Sequence, residues 1–205
     1  IFLPSPSNPT GHIFTKDMIF KVCDMTKNFG LLVLDLAYIE FANEDFTKEI
    51  LATYPNVVVL RTLSKAFGLA GSRCGALLAS SEICDYVMRV LPPYSFSKPA
   101  ERSILEALTE DGIETSKLNI KEVIKERMYL ETAFTEIDCI KKIYKSSANF
   151  ILVQVENSDL FCEKAKEYGL LLRNVSYQPS LHNCVRITVG MRKQNDLLIE
   201  GIKTL

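Results

Sequence analysis

One lysine is the residue around which this sequence can do chemistry. It stands in Thr62-Leu63-Ser64-Lys65-Ala66-Phe67-Gly68-Leu69-Ala70-Gly71-Ser72-Arg73, directly behind the apolar run Val57-Val58-Val59-Leu60. A β-branched run of that length suits a buried strand and is too short for a helix. Lys65 therefore follows the end of a buried strand, with hydroxyls one and three residues before it and an arginine eight residues after it. Burying an ammonium is costly, and desolvation there would lower its pKa and yield an amine able to act as nucleophile and base. Taken alone, Lys65 reads more simply as a solvated lysine on a surface loop. Its surroundings change that judgement.

Two more strand ends carry unusual residues. Ile1-Phe2-Leu3 leads to Asn8, inside the turn-forming stretch Pro4-Ser5-Pro6-Ser7-Asn8-Pro9-Thr10-Gly11. Leu31 to Leu34 ends at Asp35, with Tyr38 three residues on. In a largely parallel sheet, ligands sit at the carboxyl ends of strands. If the three strands are neighbours, Asn8, Asp35, Tyr38 and Lys65 converge on one crevice. Thr62, Ser64 and Arg73 then supply a phosphate site beside it. A lysine, a buried carboxylate and a phosphate cradle are the set that pyridoxal 5'-phosphate requires.

The elements that must position these residues follow from periodicity. Thr15 is a good cap for a helix running to about Asn28, closed by Gly30. Phe46 to Tyr54 predicts a short helix, and Cys74 to Leu78 a fourth strand. Ser81 is expected to cap a helix to about Leu91, stopped by Pro92-Pro93, and another helix is expected from about Pro99 to Leu108. Thr115 to about Ile137 is a long, charged, amphipathic stretch. Its run Lys121-Glu122 to Lys125-Glu126 is a solvated face with neighbouring ion pairs. After it come short strands at Ile140–Tyr144, Phe150–Val155, Leu170–Arg173 and Val185–Val189, one helix over Leu160–Tyr168 and a last helix near Leu205. The domain change is placed near Gly112, giving units 1–112 and 113–205. Strand–helix alternation in the first half predicts an α/β layered domain.

Composition narrows the function classes. The 205 residues are 47% hydrophobic and 24% charged, ordinary for a globular protein. A formal net charge of −1 gives no electrostatic case for binding nucleic acid or an anionic membrane. The six cysteines (Cys23, Cys74, Cys84, Cys139, Cys162, Cys184) are scattered, and with two histidines a zinc site is not expected. Several fall at apolar positions, as reduced thiols of a cytoplasmic protein would. His12 and His182 read as structural or solvent-exposed. No run reaches membrane-spanning length and no signal peptide is visible. The opening Ile1-Phe2-Leu3 reads as a strand already under way, so residues are expected upstream.

Three stretches in order resemble the fold-type I aminotransferases: Ser7-Asn8-Pro9-Thr10-Gly11, Asp35-Leu36-Ala37-Tyr38, and Ser64 to Gly71 with Arg73. Within them, Leu60-Arg61-Thr62-Leu63-Ser64-Lys65-Ala66-Phe67, Ala37-Tyr38-Ile39-Glu40-Phe41, and Leu172-Arg173 followed by Arg186-Ile187-Thr188-Val189-Gly190 are similar to the histidinol-phosphate aminotransferase family. The resemblance implies an α/β fold: the later part of a large, mostly parallel pyridoxal-phosphate domain, then a small C-terminal α/β domain. On that resemblance Lys65 holds the cofactor covalently and shuttles a proton at the substrate's Cα. Asp35 pairs with the pyridinium nitrogen, Tyr38 and Asn8 bond the ring's 3'-oxygen, and Thr62, Ser64 and Arg73 bind the cofactor phosphate. Arg173 and Arg186 face the anionic end of the substrate. The implied reaction moves an amino group between histidinol phosphate and 2-oxoglutarate, in histidine biosynthesis, in a homodimer. Leu36 replaces the glutamate common after the aspartate, and its side chain is expected to point away from the ring. The family's glycine-rich helix start, ring-stacking aromatic and N-terminal arm are expected upstream, so the chain as given is expected to hold only part of an active site. Three rivals stand beside this reading: an aromatic or broad-range aminotransferase, a phosphothreonine decarboxylase of the same lineage, and a non-catalytic module on a degenerated aminotransferase fold.

Overall fold

The computed structural model describes residues 1–203 and 205. It divides into two compact units. The first comprises residues 1–6 and 13–120, the second residues 7–12 and 121–205.

The first unit is built on a four-stranded sheet in the order β1 (Phe2–Pro4), β2 (Leu32–Asp35), β3 (Val57–Thr62), β4 (Gly75–Leu78). β1, β2 and β3 are parallel, with Pro4 opposite Asp35 and Asp35 opposite Leu60. β4 returns antiparallel on β3, with Thr62 opposite Gly75. The carboxyl ends of the parallel strands therefore lie side by side at Pro4, Asp35 and Thr62. Thr15 caps α1 (Lys16–Thr26) by accepting from the Met18 amide at 3.3 Å, and the Gly30 amide closes on the Thr26 carbonyl. α1 buries Ile19 and Cys23, and α2 (Thr47–Thr53) buries Ile50, against Leu32, Leu34, Leu36, Val57 and Val59. Leu36 is fully buried in this core, as expected for the residue that points away from the strand-end site.

α3 (Ser81–Met88) begins one residue earlier than the sequence suggests. Ser80 holds the cap position and Ser81 is the first helical residue. Ser97 caps α4 (Lys98–Ala107), accepting from the Ala100 amide, with proline in the first turn where its missing N–H costs nothing. α5 (Glu110–Phe134) starts before and stops short of the expected stretch, and the division between the units falls within it.

The second unit is an antiparallel sheet in the order β5 (Ile140–Tyr144), β6 (Phe150–Val155), β8 (Cys184–Thr188), β7 (Arg173–Asn174). α6 (Ser158–Glu167), capped by Asn157, and α7 (Arg192–Ile202) bury Phe161, Ala165, Leu198 and Ile202 with Leu130, Phe134, Ile151, Val153 and Ile187. The strand expected over Leu170–Arg173 is shorter than the apolar run predicts. Gly169 takes φ +75° and the Leu170 amide bonds back to the Ala165 carbonyl, so this segment ends the helix before any strand can start. Leu170 and Leu172 pack on the core without pairing, and β7 is only Arg173–Asn174.

All six cysteines are free thiols, with Cys23, Cys139 and Cys184 buried. Burial pushes the Cys23 thiol up to about 11. Among the described residues no helix is long and apolar enough to cross a membrane.

Candidate active site

The first unit gathers its chemistry beyond the ends of β2 and β3. Lys65 lies three residues past the end of β3, and its Nζ stands 5.4 Å from the centre of the Tyr38 ring. Tyr38 is 8% exposed, and the short 3-10 turn Ile39–Phe41 follows it. Lys65 itself is exposed, and so is the carboxylate of Asp35. Both were expected to be buried. Lys65 stands in the turn after β3, while Asp35, the last residue of β2, points to the face opposite the buried Leu34 and Leu36. Asp35 Oδ1 accepts from the Ala37 amide at 3.0 Å, which fixes the carboxylate at the strand end.

The hydroxyls before the lysine form a small polar cluster. Thr62 Oγ1 lies 3.0 Å from Ser64 Oγ, accepts from the Ser64 amide at 3.1 Å and donates to the Cys74 carbonyl at 3.1 Å. The Leu63 amide bonds the same carbonyl, which ties the Lys65 turn to the residue after Arg73. Arg73 is exposed and takes a left-handed backbone (φ 52°), with its Nη1 3.3 Å from the Ala70 carbonyl. A non-glycine residue in that region is costly and frequent at functional sites. Gly68, at φ +69°, closes the turn by bonding the Lys65 carbonyl.

A network that carried no assigned role in the sequence braces this turn. Arg61 donates from Nη2 to Glu40 Oε1 at 2.8 Å, from Nη1 to Asp45 at 2.8 Å and from Nη1 to the Thr47 hydroxyl at 3.3 Å. Its pKa is raised, because these carboxylates outweigh the burial that opposes the charge. Burial likewise opposes the Asp45 charge, but hydrogen bonds from Thr47 and Arg61 hold its carboxyl below the usual value. Arg61 and Glu40 flank Lys65 and Tyr38 in sequence, so the network joins their two turns. The arginine and glutamate were visible in the motifs; their pairing across 21 residues was not.

Asn8, expected beside Lys65, falls in the second unit. Its Oδ1 accepts from Arg186 Nη1 at 2.8 Å. Its loop is seated by the Ser147 amide on the Gly11 carbonyl and by Gly11 itself, whose φ is +71°. A Cβ there would collide with the Ser146 side chain, so only glycine fits. Arg186 on β8 is directly opposite Arg173 on β7, and its guanidinium stacks 5.3 Å from the Phe150 ring centre. Arg186 Nε is buried without a hydrogen-bond partner. Among the described residues no carboxylate lies within ion-pair distance of either arginine.

A family model for aminotransferase class I and II matches residues 1–202. The chain belongs to that family. The histidinol-phosphate aminotransferase of Shigella flexneri serotype 5b is 37% identical over 203 residues, 99% of this chain and 57% of that protein. The chain thus spans little more than half the length of the curated relatives it matches. Among solved structures, histidinol-phosphate aminotransferase from Sinorhizobium meliloti in complex with pyridoxal-5'-phosphate aligns with a TM-score of 0.83 at 24% identity. It covers 99% of this chain and 56% of that one. L-threonine-O-3-phosphate decarboxylase from Porphyromonas gingivalis aligns at 0.87 and 23%, covering 99% and 63%. These likenesses show the fold, and one fold here houses two chemistries.

The family depends on pyridoxal phosphate, and the first unit's residues suit it. An exposed amine, an exposed strand-end carboxylate, two hydroxyls 3.0 Å apart and an arginine in the adjoining turn form a donor set matched to an aldehyde, a pyridine nitrogen and a phosphate.

Proposed function

We propose that this chain is part of an aminotransferase that moves an amino group between histidinol phosphate and 2-oxoglutarate. The observation that carries the substrate class is the arginine pair of the second unit. Like charges directly opposite on neighbouring strands repel each other. Arg173 and Arg186 are so placed, with no carboxylate within ion-pair reach among the described residues. A site of that kind is stabilised by an anion carrying more than one charge, which a phosphate monoester supplies. In the other half-reaction a carboxylate of glutamate takes the same place, held in a guanidinium fork. The 37% identity to a histidinol-phosphate aminotransferase supports the same choice.

The residues take these parts. Thr62, Ser64 and Arg73 would hold the cofactor phosphate, Asp35 would serve the pyridine nitrogen, and Tyr38 and Asn8 would donate to the ring oxygen. Bound there, pyridoxal phosphate supplies a ring that stabilises negative charge at the substrate's Cα. Lys65 Nζ would hold the cofactor and would move the proton at that Cα. Asn8 Oδ1 accepts from Arg186, which leaves its amide nitrogen to donate. Glu40 and Arg61 hold the two turns that present Tyr38 and Lys65.

Borohydride reduction of the full-length protein with pyridoxal phosphate, followed by peptide mass analysis, tests the assignment. The expected result is a reduced cofactor adduct on Lys65 that is lost in Lys65→Ala, with turnover falling at least about a thousandfold. A folded full-length protein with no adduct on Lys65 overturns the enzyme reading. Carbon dioxide release from phosphothreonine without transamination of histidinol phosphate replaces the substrate.

A further inference from the structure

We infer that Tyr177 is a third ligand of the substrate's phosphate, its phenol O–H donating to an oxygen of the anion received by Arg173 and Arg186. This rests on the substrate reading above and deepens it. Tyr177 lies in the connection from β7 to β8, the two strands that carry the arginines. The connection is held at every step around it. The Ser176 amide bonds Asn174 Oδ1 at 2.9 Å, the Ser176 hydroxyl lies 2.9 Å from that of Ser158, and the Gln178 amide bonds the Val175 carbonyl at 3.0 Å. The Leu181 amide then bonds the Gln178 carbonyl. A ring 71% exposed is thus carried on backbone with little freedom.

The phenol has one hydrogen to give and two lone pairs to receive with. Gln178 Nε2 donates to its oxygen from 3.4 Å, and Arg173, two residues before the paired Val175, stands at the start of the same connection. Donation from Gln178, with the positive charges of Arg173 and Arg186, holds the phenol below its usual pKa. The O–H is available to donate, since among the described residues no acceptor is bonded to it. A polarised donor beside two cations is the complement of an anion. A planar carboxylate is satisfied by one guanidinium fork. A tetrahedral phosphate has a third oxygen, and a donor from a separate loop reaches it from a third side. Tyr177 is therefore assigned to preference for phosphate over carboxylate.

The test compares the full-length enzyme with Tyr177→Phe and Arg173→Ala, using histidinol phosphate and glutamate in turn as amino donor. Losing one hydrogen bond to a charged group predicts a KM for histidinol phosphate raised about tenfold in Tyr177→Phe. The kcat and the KM for glutamate stay within about twofold, a split that a merely structural role would not produce. Equal losses for both donors would show that the ring only shapes the turn, and would overturn the inference. So would an unchanged histidinol phosphate KM in Tyr177→Phe with a raised one in Arg173→Ala, which leaves the substrate reading standing. Unchanged values in both variants remove the phosphate site and Tyr177 with it.

Discussion

The two units bury their helices differently. In the second unit α6 and α7 each press an apolar stripe into one core, and the buried Glu126 is met by Arg192 and Asn195. In the first unit α1 and α2 do the same, but α3 and α4 bury no residue at all. Tyr86, Met88, Leu105 and Leu108 are among the exposed side chains there. Both pairs of helices show amphipathic spacing. The pattern says that a face is built for burial, and it does not say what buries it. Exposed faces are also what a chain spanning 57% of its relatives' length would carry if further polypeptide covered them.

The sharpest way to break this contrast is truncation in both places. Phe134, 1% exposed, packs in the second unit's core, so Phe134→Ala is expected to cost about 3–5 kcal/mol. Leu105, 62% exposed on α4, should change stability by no more than about 0.5 kcal/mol when cut to alanine. Urea unfolding of the 205-residue chain measures both. Similar costs would show that α4 packs more closely than its exposure indicates.

Much of this was legible in local pattern. The strands through Val33, Val58 and Ala76, the Thr15 cap and the Lys65 turn follow from β-branched runs, hydroxyls and glycines whose effect is short-range. Ser81 was expected as the cap and Ser80 takes that place, because both are good caps and the backbone decides. The Leu170–Leu172 run looked like a strand because apolar content does not distinguish pairing from packing. The pairings of Arg61 with Glu40 and of Arg186 with Asn8, 178 residues apart, depend on tertiary structure that periodicity does not encode. Tyr177 carried no signal, since an aromatic residue before Gln-Pro-Ser is ordinary turn sequence. Exposure of Lys65 was missed because burial of β3 was extended to the turn behind it, and that of Asp35 because a strand's two faces need not both be buried.

A second experiment sharpens the contrast at the Asn8 loop, a short segment from the first half of the chain that belongs with the second unit. Gly11→Ala forces a left-handed backbone on alanine and sets its Cβ against Ser146. The expected cost is about 1–3 kcal/mol. Hydrogen exchange should rise in residues 7–12 and around Ser147, with β1 to β3 unchanged. Loosening of the first unit's sheet to the same degree would mean that the loop is not the second unit's own.

The smallest effect concerns acid. Asp45 in the first unit and Glu126 in the second are both held below their unperturbed values, 3.8 and 4.5. Hydrogen bonding from Arg192 dominates for Glu126 against opposing burial, and Thr47 with Arg61 outweighs burial for Asp45. A depressed folded-state pKa gives stability that is present above the unfolded value and lost as pH falls through the folded one. Each pair should therefore weaken only below about pH 4.5, at the unperturbed values of these carboxyls. Glu131 works in the opposite sense. Burial raises its carboxyl above 4.5, so its ionisation costs stability as pH rises past that value. Glu126→Gln should flatten the acid limb read by hydrogen exchange in α5 and α7 and leave α2 unaffected, while Asp45→Asn should do the reverse. Glu131→Gln should remove a loss that appears on the other side of pH 4.5. A single acid limb moved equally by Asp45→Asn and Glu126→Gln would mean that the two units unfold as one, and the contrast between them would hold for packing alone.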